Sequence, residues 1–160
     1  MNILTKNIIS LYKEQGKIWL KDLPQIIAAI AKKWHLSELK PVDNLSFNYV
    51  LSGFQNDKPI ILKLGFDKES LMQEAEALKI FEGYGAVRLL EQQHNALLLE
   101  RAISGISLKA YSLKENNEKI IIACETVKKL HQAPLPKTTH FPCIQDQHIK
   151  FRESRLYSRS

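Results

Sequence analysis

Cysteine is nearly absent from this chain. Cys124 and Cys143 are the only two in 160 residues, and they form no CxxC pair and no Cys/His ligand spacing. His131, His140 and His148 are too scattered to supply a metal cluster, so metal ligation by protein side chains is not expected. Long hydrophobic runs are missing too. Apolar stretches such as residues 26–31 and 96–99 are far too short to span a bilayer. No charged-apolar-small pattern opens the chain, which argues against a secretory signal and makes the cytoplasm the default location. Arginine is rare, with five in the chain, and no Arg-rich stripe with interleaved aromatics occurs. The net charge of +6 therefore does not lead to a nucleic-acid reading. It rests mostly on dispersed lysines such as Lys32-Lys33 and Lys128-Lys129, which suit a solvated surface or an anionic ligand such as a nucleoside triphosphate.

What is present is ordinary for a folded domain. Hydrophobic residues make up 44% and charged residues 25%, and the length suits one domain with a real core. Leu4, Ile8, Ile9, Leu11 and Tyr12 give a weak helical stripe, and Asp22 with Pro24 reads as the opening of a clearer helix. Ile26, Ile30 and Trp34 repeat every four residues along it, and Lys40-Pro41 is expected to end it. Residues 42–45, 47–54 and 60–64 read as strands, with Gln55-Asn56-Asp57-Lys58 as the turn between the last two. Gly65 and Asp67 break the third strand, and Asp67 is placed to cap a helix with Leu71, Ala75 and Leu78 on one face, stopped at Gly83 and Gly85. Residues 86–91 and 96–101 read as two further strands around a hairpin turn. The fold class is thus α+β: a five-stranded antiparallel sheet with one inserted helix. A break at Ser104-Gly105, a short helix over 108–113 and a longer one over 117–130 follow. Ile120, Ile121, Cys124, Val127 and Leu130 share its apolar side, so Cys124 is expected to pack. Pro134 and Pro136 end this helix.

The chemistry centres on Lys63, an ammonium in the apolar run Ile61-Leu62-Lys63-Leu64. A buried ammonium is costly without a partner. Alone, Lys63 reads as a strand lysine snorkelling to water. Glu74 on the next helix, with two strands beyond it, reverses that preference, because kinases hold nucleotide phosphates with a strand lysine braced by a helix glutamate. The turn Asn44-Leu45-Ser46-Phe47-Asn48 stands where kinases carry a glycine-rich lid. It has no glycine triad, but Ser and Asn can offer a hydroxyl and backbone N–H groups to anionic oxygens. Leu97-Leu98-Leu99-Glu100-Arg101-Ala102 then offers an apolar slot and strand-end backbone groups suited to an adenine edge.

Taken together, Asn44-Leu45-Ser46-Phe47-Asn48, Ile61-Leu62-Lys63-Leu64, Glu74-Ala75-Glu76-Ala77-Leu78, Gly85-Ala86-Val87-Arg88-Leu89-Leu90-Glu91 and Ala96-Leu97-Leu98-Leu99-Glu100-Arg101-Ala102 resemble the amino-terminal lobe of aminoglycoside 6-phosphotransferases. That group includes streptomycin 6-kinase and the hydroxyurea resistance kinases, and the resemblance runs over about residues 18–150. It implies a protein-kinase-like fold binding ATP between two lobes. Lys63 would contact the α/β-phosphates and Glu74 would hold Lys63. Ser46, Phe47 and Asn48 would form the lid, Leu99 the back of the pocket, and the Glu100 carbonyl and Ala102 N–H the adenine contacts.

The departure from the family is large. There is no His-Gly-Asp, and after Asp67 the only aspartate is Asp146. The catalytic base and the ligands for the family's Mg²⁺ have no counterpart, nor has the lobe that would hold an aminocyclitol substrate. The expected organisation is a nucleotide-binding lobe with amino-terminal helices over 1–103, then a linker and the first helices of an incomplete second lobe over 104–150. A basic Ser/Arg tail over 151–160, expected to be disordered, completes it. That tail holds three of the five arginines and suits a shifted reading frame. The leading expectation is a truncated small-molecule kinase, acting in intact relatives on an alcohol group of an antibiotic, and inactive alone. The alternative is a non-catalytic nucleotide-binding or protein-interaction module that associates through the exposed inter-lobe face.

Overall fold

Asn56 and Asp57 both take positive φ, 47° and 64°, as a two-residue type I′ hairpin turn requires. They join β2 (Asn48–Gln55) to β3 (Lys58–Gly65) in an unbroken antiparallel register from Gln55↔Lys58 to Asn48↔Gly65. The computed structural model describes residues 3–43, 45–103, 116–134, 136 and 141. Asn44, the Ser104-Gly105 break, the 108–113 helix, His140, Cys143, Asp146, His148 and the 151–160 tail lie outside the described residues.

β3 is the middle of a five-stranded sheet whose order is β1 (Leu36–Pro41), β2, β3, β5 (Ala96–Glu100), β4 (Leu89–Gln93), every neighbouring pair antiparallel. One face carries Leu51, Ile60, Leu62, Leu64, Ala96 and Leu98, all buried against α1 (Ile3–Lys33), which contributes Leu4, Ile8, Trp19, Leu23 and Ile30. The other face carries Leu97 and Leu99, which pack with Leu71 and Ala75 of α2 (Lys68–Ile80) and with Ile61, Leu78, Val87 and Leu89 around them. The result is helix, sheet, helix. Alternation along β3 sends Leu62 and Leu64 to the α1 side and Lys63 to the α2 side.

Several expectations need correction. The helix does not begin at Asp22: α1 is two helices joined by a kink at Lys13 (φ 51°, ψ −126°), folded so that Gly16 meets Ile8, and the second runs through Pro24. A proline signal at 22–24 fits a first turn and a tolerated interior site alike. Burial of Trp19 and Leu23 ahead of Pro24, and of Ile30 beyond it, keeps the helix continuous there. The helix stops at Lys33, not at Lys40, with His35 in the left-handed region (φ 53°). The first strand is accordingly 36–41 rather than 42–45, an edge strand irregular between Ser37 and Lys40, where Glu38 also has positive φ. β4 begins at Leu89 and reaches Gln93, leaving a tighter turn before Ala96 than expected. In α3 (Asn116–Leu130) the stripe of Ile120, Ile121 and Val127 is exposed, and Cys124 is exposed with it rather than packed.

Candidate functional site

Asp67 sets the position of Glu74. Its carboxylate accepts hydrogen bonds from the Glu69 and Ser70 backbone N–H groups, both at 3.1 Å, satisfying donors that the first turn of α2 would otherwise leave open. Leu71 and Ala75, buried against the sheet, then fix the rotation of the helix. Glu74 lies between them in sequence, and its carboxylate points at β3.

Lys63 Nζ donates to both oxygens of Glu74, at 2.7 Å to Oε1 and 2.6 Å to Oε2. The two side chains are 21% and 31% exposed, so the pair faces solvent on one side and an incoming anion can reach it. A pair this open adds only about 0–1 kcal/mol to stability. Fold stability alone therefore gives little reason for a lysine at this position. Val50 of β2 and Leu97 of β5 stand opposite Lys63 and form apolar walls on either side.

Above the ammonium lies a hollow of about 200 Å³ lined by Val42, Asp43, Leu45, Ser46, Asn48, Val50 and Lys63. Ser46 and Asn48 of the expected lid thus share one cavity with Lys63. Phe47 is 52% exposed and does not line it. Asp43 lines the hollow and was missed from sequence, because Val42-Asp43 read as part of a strand. Its carboxylate opposes an anion and limits how much of Lys63's attraction a phosphate feels.

The remaining residues sit along β5. Leu99 is buried opposite Ile61, two positions along β5 from the partner of Lys63, and packs with the α2 cluster. Glu100 ends the strand and is tied to Arg88 twice, its N–H donating to the Arg88 carbonyl at 3.0 Å and its carboxylate accepting from the Arg88 N–H at 2.8 Å. Ala102 is exposed just beyond the strand end. The structure brings Lys63, Glu74, Ser46 and Asn48 together, while Leu99 is buried farther along β5, Glu100 and Ala102 occupy the strand end and Phe47 faces solvent.

A larger hollow of about 730 Å³ lies elsewhere, between Ala77, Ile80 and Phe81 of the α2 end and Leu130 at the end of α3 with His131 and Pro134 beyond it. Its lining is mostly apolar and includes none of these groups. Among the described residues no group of three His, Cys, Asp or Glu side chains could hold a metal ion, and no helix is long and apolar enough to cross a membrane.

The chain is 26% identical over 126 residues to streptomycin 6-kinase of Streptomyces griseus, covering 77% of this chain and 40% of that protein. It is 23% identical over 129 residues to streptomycin 6-kinase of Streptomyces glaucescens, covering 79% and 41%. It spans about two fifths of the length of these relatives. The crystal structure of aminoglycoside phosphotransferase APH(4)-Ia superposes with a TM-score of 0.56 at 12% identity, over 72% of this chain and 42% of that one, which shows a shared kinase-like fold. Residues 33–155 match the family model described as aminoglycoside/hydroxyurea antibiotic resistance kinase, and that match, over most of the chain, makes this protein a member of that family.

Proposed function

We propose that this chain is the nucleotide-binding lobe of an ATP-dependent small-molecule phosphotransferase of the streptomycin-kinase type, working in the cytoplasm where ATP is supplied. The observation that carries the reading is the bidentate Lys63–Glu74 pair opening into a hollow roofed by Ser46 and Asn48. Glu74 holds the Lys63 ammonium out of the apolar strand, and the ammonium's open side meets the α/β-phosphates. Ser46, Phe47 and Asn48 cover the phosphates, Asn48 and Ser46 from the hollow and Phe47 from its outer rim. Leu99 backs the adenine slot, while the Glu100 carbonyl and the Ala102 N–H serve the adenine edge at the exposed end of β5.

In longer relatives the acceptor would be an alcohol group of an aminocyclitol antibiotic. Mg²⁺, expected for the family, supplies charge neutralisation on the phosphates when bound. Among the described residues Asp43 is the one carboxylate lining the hollow, and a single ligand does not make a site for it. No His-Gly-Asp occurs in the sequence, so residues 1–160 by themselves are expected to bind nucleotide without transferring phosphate. Titration with ATP tests the reading. Lys63→Ala should weaken binding by about ten- to a hundredfold, the worth of a charge-assisted hydrogen bond, with the thermal melt little changed. Equal ATP affinity in the wild type and Lys63→Ala would overturn it.

A second reading, a non-catalytic nucleotide-binding or protein-interaction module, draws on the exposed Ile120, Ile121 and Val127 of α3. A face of that kind suits association with a partner. Sedimentation separates the two readings: a monomer that binds ATP favours the first, and a defined oligomer indifferent to ATP favours the second.

A further inference from the structure

We infer that Asn7 is a positioning residue for the phosphate lid, an inference that rests on the nucleotide-binding reading above. Its side-chain amide donates to the Ser46 backbone carbonyl at 3.0 Å, across 39 positions of sequence. Residues 3–32 precede the stretch that matches the family model, so the donor of this contact lies outside the matched residues 33–155.

The bond sorts the polarity of the lid. In a trans peptide the carbonyl and the following N–H point in opposite directions. Holding the Ser46 carbonyl toward Asn7 turns the Phe47 N–H away from the amino-terminal helix. It also keeps the carbonyl's negative end from swinging toward a phosphate. Such a choice matters here because Ser46 and Phe47 are both exposed, and no glycine-rich sequence imposes a geometry.

Neighbouring contacts give the grip a rigid base. Leu4 and Ile8, on either side of Asn7, are each 1% exposed, and Leu45 packs against the same cluster. Five residues on, Tyr12 stacks on Phe66 with ring centroids 4.2 Å apart, anchoring this stretch of helix beside the Asp67 cap of α2. The amino-terminal helix therefore touches both the lid and the neighbourhood of the helix that carries Glu74.

The experiment compares the full chain with Asn7→Ala and with Asn7→Gln, which keeps an amide donor. Amide hydrogen exchange of residues 45–48 is followed without ligand, alongside titrations with ATP and with adenosine. Loss of one hydrogen bond should speed lid exchange about fivefold in Asn7→Ala and weaken ATP by a similar factor. Adenosine binding should be unchanged, and Asn7→Gln should recover both losses. Unchanged exchange at 45–48 overturns the inference. So does faster exchange spread evenly along α1, or an equal loss for ATP and adenosine. Should the wild type show no Lys63-dependent ATP binding, the nucleotide reading falls, while lid exchange still decides whether Asn7 positions this loop.

Discussion

At Gly65 the chain has no room for a β-carbon. One built there would lie 2.6 Å from Asn48 Oδ1 and 3.0 Å from Leu71 Cδ1, joining the lid, the end of β3 and the buried face of α2 at a single point. Gly65→Ala must push one of these away, and overpacking of this kind costs about 1–3 kcal/mol. The expected outcome is a lower melting temperature together with weaker ATP binding, since Asn48 moves when the clash is relieved. An unchanged melt would show that Asn48 swings aside freely. From sequence, Gly65 reads only as a strand break, because a close approach between distant segments leaves no local signal. Lys63 and Glu74 were legible for the opposite reason. A charge in an apolar alternating run demands a partner, and the next helix offers one in reach. Asp43 was not legible, since nothing in its own neighbourhood distinguishes a strand residue from one lining a hollow.

Among the elements, α2 is the one on which the site turns. It is anchored by the Asp67 cap at one end and terminated by Phe81 at the other, with Gly83 and Gly85 both at positive φ just beyond. Removing the cap with Asp67→Ala should cost about 1 kcal/mol. In a chain of this size that corresponds to a fall of about 2–4 °C in Tm by calorimetry. ATP affinity should drop further than the fold loses stability, because fraying the first turn loosens the rotation that aims Glu74 at Lys63. Both ends of this helix, and the Asn56-Asp57 turn, were readable because side chain and backbone there decide the conformation locally. β1 was not, since its strand is irregular between Ser37 and Lys40 and its half-buried positions, three residues apart, do not alternate. The stripe on α3 is periodic in the sequence, but a periodic face says nothing of what covers it. Ile120 and Ile121 are more than half exposed.

Seen whole, the molecule is a sheet with two unequal coats. The α1 side holds the larger core, from Leu4 to Leu98, and the α2 side a smaller one around Leu71 and Leu99 together with the ion pair. The larger core therefore sits on one face and the Lys63–Glu74 pair on the other, so substitutions of that pair can test the proposed binding without dismantling the fold. The overall plan was legible from the strand-helix-strand order, and the family from short words around Lys63, Glu74 and Leu99. The amino-terminal helix was the least legible part, because its departure from helical geometry falls on an ordinary lysine rather than on Pro24.

That lysine has a consequence for proteolysis. Proteases cut backbone they can draw out into an extended form, and regular helix resists this. Lys13 is exposed and non-helical within an otherwise helical stretch. Brief digestion with trypsin should nick the bond between Lys13 and Glu14 before cutting at Lys17, Lys21 or Lys32, releasing a short amino-terminal peptide detectable by mass spectrometry. Lys13→Gly should relieve the positive φ and raise Tm while removing that scissile site.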